Sequence, residues 1–365
     1  MNPHSRRRAA AGLLAAALGV TSLAACGGSG GEGGSGGKNG GKTVTLVTHD
    51  SFAVSDAVLE EFTERTGRKV EILRGGDAGT TVNQAVLSQG NPQGDVLFGV
   101  DNTLLSRALD HGLFTPYEAE GLAQVPAELQ LDRGKHRVTP VDYGDVCVNY
   151  DRGWFEKKDL APPESFEDLA DPAYRDLLVT ENAATSSPGL GFLLATVAAY
   201  GDDGWQDYWK KLKANGVEVV DGWEQAYNER FSGSGGGQGE GDRPLVVSYA
   251  SSPPAEVLGR KPLPERAPTG VVTDTCFRQT EFAGLLKGAP NAEGGRELLD
   301  FLLSRTFQED VPLQMFVHPA RQDAKLPEVF TRYGETAGDP ASVAPERIAG
   351  NREEWVKAWS RLVRE

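Results

Sequence analysis

Residues 69–90 read KVEILRGGDAGTTVNQAVLSQG, and their interpretation decides the class of the fold. Lys69-Val70-Glu71-Ile72-Leu73 alternates with the period of two expected of a strand. Arg74-Gly75-Gly76-Asp77-Ala78-Gly79 interrupts the run, and Thr80 to Gln89 then follows a helical pattern. Upstream, Thr43 to Thr48 alternates in the same way. Val58 to Arg65 after it is amphipathic, with Val58, Leu59 and Phe62 on one face. Downstream, Asp95 to Gly99 is a third, mostly apolar run. Strand, helix, strand, helix, strand with short Gly-rich corners predicts a parallel α/β sheet. Ligands of such sheets sit beyond the carboxyl ends of the strands. Three polar loops fall there: His49-Asp50-Ser51, Gly76-Asp77-Ala78 and Val100-Asp101-Asn102. The corner at Gly75 lacks the full spacing of a dinucleotide fingerprint, and no phosphate-loop motif occurs. It reads as a turn whose backbone contacts a ligand.

A second α/β unit follows. Arg175 to Thr180 is strand-like and ends at Glu181-Asn182. Thr185-Ser186-Ser187-Pro188-Gly189-Leu190-Gly191 then leads into a helical run, Phe192 to Tyr200. Hydroxyls before Pro at a helix start supply side-chain oxygens and free amides, which serve equally as an N-cap or as a polar or anion site. Residues 219–227, VVDGWEQAY, place Trp223 directly after a strand and at the opening of a helix. That position suits a core plug and a cleft wall alike. Arg230 to Arg243 holds a Gly-rich loop, and Pro244 to Tyr249 is a further strand ending in Ala250-Ser251-Ser252-Pro253-Pro254. Glu297 to Leu303 and Arg352 to Val363 are amphipathic helices. Trp355 and Trp359, four apart on one face, belong to the core.

The chain has 365 residues, enough for two domains and a sizeable core. Its net charge of -15, from 37 basic and 52 acidic residues, argues against nucleic acid, whose phosphates would be repelled. Three cysteines exclude a disulfide-dense scaffold, and the five histidines form no metal-ligand pair at helical spacing. Arg6-Arg7-Arg8, an apolar run from Ala9 to Leu18 and Leu23-Ala24-Ala25-Cys26 compose a leader too short to span a bilayer. Its ending resembles the bacterial lipoprotein signal. That implies removal of residues 1–25 and lipidation of Cys26, with residues 26–42 as lipid-bearing Cys and tether. Of the 16 residues Gly27 to Lys42, 10 are Gly, the composition of a flexible coil.

The stretches THDSFA (48–53), DVLFGVDNTLL (95–105), DYGDVCVNYD (142–151), TSSPGLGFLL (185–194), DGWEQAY (221–227), LVVSYASSP (245–253) and FQEDVPLQMFVHP (307–319) resemble, in order, the thiamine-binding receptors of bacterial ABC importers. The resemblance implies a two-lobe periplasmic-binding-protein fold of type II with the ligand in the cleft between lobes. Residues 43–141 plus 272–319 would form lobe 1, and 142–271 plus 320–365 lobe 2. The chain would cross near Tyr143 to Tyr150 and back near Val271 to Phe282.

Carried over by position, the family's thiamine contacts fall on Asp77, Ala78, Ser186, Ser187, Trp223 and the run Tyr249, Ala250, Ser251, Ser252. His49, Asp50, Asp101 and Phe316 join them from the neighbouring loops. The family often has an aromatic where His49 stands and a Trp where Phe316 stands, so the cage here is less aromatic. Aromatic faces attract the thiazolium cation, and a carboxylate such as Asp77 complements its charge. The implied protein is a monomeric receptor without cofactor or metal, anchored by lipid to the outer face of the cell membrane. It would pass thiamine or its phosphates to permease subunits. With Cys26 given to lipid, Cys147 and Cys276 map to the crossing strands, and a disulfide between them is expected, free buried thiols being the alternative. Two rival readings stay open: the same fold serving a polyamine or ferric iron, and an exported thiamine-processing enzyme. The iron branch typically presents adjacent tyrosines, and no Tyr-Tyr pair occurs in the chain.

Overall fold

The computed structural model describes residues 41–237 and 239–364. The leader 1–25, Cys26 and nearly all of the tether lie outside the described residues. The strands are β1 (Thr43–Thr48), β2 (Lys69–Arg74), β3 (Val96–Asp101), β4 (Thr139–Asp151), β5 (Leu178–Glu181), β6 (Glu218–Val220), β7 (Leu245–Tyr249), β8 (Thr269–Leu285) and β9 (His318–Pro319). The helices are α1 (Asp56–Thr66), α2 (Ala78–Leu87), α3 (Leu105–Asp110), α4 (Arg152–Lys158), α5 (Phe166–Leu169), α6 (Ser187–Ala214), α7 (Ser234–Gly237), α8 (Ala292–Leu302), α9 (Arg305–Gln314), α10 (Glu328–Tyr333) and α11 (Pro345–Arg364).

Hydrogen bonding orders the strands β2-β1-β3-β8-β4-β7-β5-β6, with β9 on β4. The expected parallel unit is present: β1 pairs in parallel with both β2 and β3. The second parallel unit is β5 with β6 and β7. Between the units run the long strands β4 and β8, antiparallel to each other and to their outer neighbours. The end of β8 pairs with β3, while its start pairs with the part of β4 that also pairs with β7. Both long strands therefore pair with strands of both parallel units or with each other along their length.

Two apolar cores flank this sheet. One gathers Leu46, Phe62, Phe98, Leu298, Phe301 and Phe307 between the first unit and α1, α8 and α9. The other runs from Leu97 and Leu105 through Leu190–Leu194 to Trp205, Trp209, Trp355 and Trp359. Trp355 and Trp359 are buried, and Trp359 meets Trp209 edge-on at 5.4 Å between ring centroids. The helix expected over 192–200 starts earlier, at Ser187, and stops where expected, since Gly201 (φ 69°, ψ 179°) is non-helical and divides α6 into two helical segments. Trp205, Tyr208, Trp209 and Leu212 recur at helical spacing beyond the kink and bury. No helix among the described residues is long and apolar enough to cross a membrane.

A disulfide joins Cys147 of β4 to Cys276 of β8 across a sequence separation of 129. It sits where the ladder is interrupted: Val146 pairs with Phe277 and Val148 with Val272, so Thr273 to Cys276 bulge opposite Cys147. Thr275 holds the bulge, its hydroxyl accepting from Val148 N–H at 2.9 Å and donating to the Val272 carbonyl at 2.7 Å. Closing so long a loop restricts the unfolded chain, an effect of about 2–4 kcal/mol. Reduction is expected to add about two daltons to the intact mass and to lower the urea midpoint. An unchanged mass would show that the bond does not form.

Candidate functional site

The loops at the carboxyl ends of the parallel strands converge on a cavity of about 320 Å³. From the first half, β1 leads to His49 and Ser51, and β2 leads to Asp77 and Ala78. From the second half come Ser187 and Pro188 at the start of α6, Trp223, Glu224, Tyr227 and Asn228 after β6, and Tyr249 at the end of β7 with Ser252, Ala255 and Glu256 beyond it. The long strand β8 adds Glu281, and the turn after α9 adds Met315, Phe316 and Val317. A larger cavity of about 510 Å³ beside α2, lined by Gln84, Gln89 and Gln93 among others, has neither an aromatic wall nor a carboxylate.

Trp223 satisfies both of its sequence readings, since it packs on a neighbouring ring and also lines the cavity. One face stacks on Tyr227 with centroids 4.9 Å apart and planes 15° from parallel, while the ring also lines the cavity. Its indole N–H donates to the Ser248 hydroxyl at 3.0 Å. Tyr227 is buried beneath it and donates its hydroxyl to Glu256 at 2.8 Å. On the opposite wall, Phe316 holds φ at 55°, a left-handed conformation uncommon for a bulky residue. Such a conformation costs about 1–3 kcal/mol and persists where the surroundings enforce it. It presents the ring at the cavity.

His49 is fixed by its own loop, with Nδ1 2.8 Å from the Ser51 hydroxyl and its ring 5.6 Å from that of Phe98. Gly99 makes room for it: its φ is 97°, and a Cβ there would lie 2.4 Å from the His49 ring. Burial, aided by Arg74, lowers the His49 pKa to about 4, so the imidazole is neutral at pH 7. Its Nε2 lies 3.8 Å from Glu281.

The electrostatic character comes from buried carboxylates. Glu281 faces Asp142 across the β4–β8 register. Burial pushes both upward, Asp142 to about 7 against the lowering effect of a hydrogen bond with Glu281, while the charge of Asp142 raises Glu281 further, so the pair retains a proton near neutral pH. Burial raises Asp77 to about 6, against the lowering effect of hydrogen bonds from Trp223, Ser186 and Ser187. The lining contains Asp77, Glu224, Glu256 and Glu281, and no Lys or Arg among the described residues. An acidic, partly aromatic cavity of this size is complementary to a small organic cation.

Of the residues expected from sequence, His49, Asp77, Ala78, Ser187, Trp223, Tyr249, Ser252 and Phe316 line the cavity together. Five do not. Asp50 is exposed, because its backbone N–H bonds the Gly76 carbonyl while its carboxylate turns back to Ser51 N–H. Asp101 is fully buried behind the wall, accepting from Thr103, from Leu104 N–H and from Gln279 at 2.6 Å. Gln279 in turn accepts from the Tyr249 hydroxyl at 2.6 Å, so Asp101 acts through that chain. Ser186 is the buried N-cap of α6, its hydroxyl accepting from Gly189 N–H. Ala250 packs beside Cys147 and Cys276, and Ser251 is buried without a hydroxyl partner. Sequence reading missed Glu281, Glu256, Glu224 and Tyr227. Only the last had a signal, standing four after Trp223 on one helical face.

Residues 91–332 match the family described as bacterial extracellular solute-binding protein. The thiamine-binding periplasmic protein of Salmonella typhimurium is 28% identical over 327 residues, covering 88% of this chain and 93% of that one. Its counterpart of the same name in Escherichia coli is 28% identical over 324 residues, with the same two coverages. A solved periplasmic thiamin binding protein superposes with a TM-score of 0.75 at 26% identity, over 90% of this chain and 98% of that one.

Proposed function

The chain belongs to the bacterial extracellular solute-binding protein family, and from that premise we propose that it captures thiamine outside the cytoplasm and delivers it to an ABC importer. The carrying observation is the cavity in which Trp223, Tyr249 and Phe316 stand beside the carboxylates of Asp77 and Glu281. A flat cationic ring gains from both at once, each aromatic face contributing about 0.5–2 kcal/mol. A polyamine would satisfy the carboxylates but leave the aromatic walls without a flat partner. The iron branch typically presents adjacent tyrosines, and the sequence has no Tyr-Tyr pair, which speaks against ferric iron. Cys147 and Cys276 are bonded to each other and buried away from the cavity, which speaks against a thiamine-processing enzyme with a cysteine nucleophile.

In this reading, residues 43–141 with 272–319 and residues 142–271 with 320–365 are two lobes that close on the ligand. β4 and β8 are the hinge, and the permease senses the closed form. Titration calorimetry with thiamine, spermidine and ferric iron tests the reading. Thiamine alone is expected to bind tightly, and its mass is expected to be unchanged after incubation. Tight spermidine binding with none for thiamine would overturn it.

The membrane anchor is proposed from Leu23-Ala24-Ala25-Cys26. Cys26→Ser is expected to move the protein from the membrane fraction to the soluble fraction. A variant that sediments with membranes as completely as the parent would refute the anchor.

A further inference from the structure

Beside the long strands β4 and β8, one further segment runs from the first half to the second. It leaves α9, whose Phe307 and Val311 lie in the core of the first unit. It ends at α10, whose Tyr333 packs with Val257 and Ala267 of the second half. Only Met315, Phe316 and Val317 stand between α9 and β9, and all three line the cavity. So short a turn is set by its two ends. At one end Met315 N–H donates to the Val311 carbonyl at 2.9 Å. At the other, His318 of β9 pairs with Tyr143 of β4, their rings stacked 5.1 Å apart and 17° from parallel. Arg278 of β8 lies over the Tyr143 ring at 5.3 Å and is ion-paired to Asp145. Phe330 of α10, itself buried, meets the His318 ring edge-on at 5.0 Å. His318 therefore touches β4 and α10 at once, while lining no part of the cavity itself.

We propose that His318 is a positioning residue: its stack on Tyr143 and its contact with Phe330 fix the end of the turn, and so hold Phe316 with its ring at the cavity. This inference rests on the thiamine reading and adds to it a residue that does not touch the ligand. Phe316 holds φ at 55°, and a left-handed conformation at a bulky residue persists only where the surroundings over-determine it. The anchored ends supply that constraint. Removing the imidazole frees one end, and Phe316 relaxes toward an ordinary φ that turns its ring from the cavity. Ordering the turn again on binding then costs affinity, as the ordering of any loop does. The contacts that hold the turn are made by a flat ring, near-parallel to one neighbour and edge-on to the other, so an aromatic replacement can reproduce them and an alanine cannot.

The test is titration calorimetry of the full chain with thiamine, at a temperature where circular dichroism shows each variant folded. His318→Ala is expected to weaken binding by about five- to tenfold, the scale of one aromatic contact. His318→Phe keeps a flat ring and is expected to bind within about twofold of the parent. A double-mutant cycle separates positioning from a general loss of stability. Phe316→Ala is expected to weaken binding by about tenfold, and His318→Ala added to it should cost less than about twofold more. Losses that multiply in the double variant, or parental affinity in His318→Ala, would overturn the proposal and leave the thiamine reading standing. Should His318→Ala not fold, Tyr143→Leu removes the same stack from β4. It is expected to give the same loss and the same cycle with Phe316→Ala, and the opposite results would overturn the proposal equally. No thiamine binding by the native protein would overturn the thiamine reading and this role with it.

Discussion

Trp223→Ala is expected to weaken thiamine binding by on the order of tenfold or more and to lower the melting temperature by about 2–6 °C in the same variant. The binding loss follows from removing an aromatic face that lines the cavity. The stability loss follows from the stacking of the ring on Tyr227 and from the Ser248 hydroxyl that loses its indole donor. An aromatic pair contributes about 0.5–1.5 kcal/mol beyond its buried area. The cost stays below that of emptying a closed core, about 3–5 kcal/mol, because Trp223 is only partly buried and the space left opens to the cavity. Trp223→Phe separates the two roles, since it keeps a flat face and loses the hydrogen bond. It is expected to retain most of the affinity while still melting below the parent. Fluorescence titration and thermal denaturation on both variants decide the matter. A large fall in melting temperature with parental thiamine affinity would assign Trp223 to the core alone.

The second large effect is expected at Glu281, where stability and affinity should move in opposite directions. Glu281 and Asp142 are buried beside one another; burial raises the proton affinity of both, and the charge of Asp142 raises that of Glu281 further. A carboxyl whose folded pKa lies above its unfolded value contributes stability that is complete below the unfolded pKa and is lost as pH rises through the folded one. For Asp77 and Asp101, both raised to about 6 by burial, the loss runs from about pH 4 to above 6. The Asp142–Glu281 pair extends the loss upward in pH. His49, depressed to about 4, works the other way between about 4 and 6.5, its contribution being present above that window and lost as pH falls through it. At pH 8 the repulsion within the pair is at its greatest, so Glu281→Gln should raise the melting temperature of the ligand-free protein there. The same substitution removes a negative charge from the wall and should weaken thiamine binding by about tenfold.

The native protein should also lose thiamine affinity as pH falls from 8 to 5, approaching about tenfold per pH unit for each carboxyl that must release a proton on binding. The fall should be shallower in the variant. Calorimetry in two buffers of different ionisation enthalpy counts the protons. A variant that melts lower at pH 8 and binds as the parent does would remove Glu281 from the site.

How much of this could be read in advance depends on the range of the interactions. The period-two runs at Thr43–Thr48 and Lys69–Leu73 and the Gly-rich corner between Arg74 and Gly79 were legible because strand burial and turn geometry are local properties. The burial of Trp355 and Trp359 was legible for the same reason, four residues being one turn of helix. The ends of elements were less so. Gly201 breaks α6 after Tyr200, as a local signal can, whereas the segment beyond it is held by a tertiary contact, the packing of Trp209 against Trp359 of α11.

The cavity divides along the same line. Loops after parallel strands must lie at one edge of the sheet, so the sequence by itself brought His49, Asp77, Ser187, Trp223 and Tyr249 to one neighbourhood. Glu281 could not be placed there, because it occurs within an unremarkable strand and its neighbour Asp142 is chosen by the β4–β8 register. Asp77 shows the limit most clearly. Its charge and its corner after β2 were in the sequence, and both suit a carboxylate waiting for a cation. That it instead accepts amides from Ser187 and Trp223 was decided only by tertiary structure, since those donors lie 110 and 146 residues away and converge only when the two halves meet.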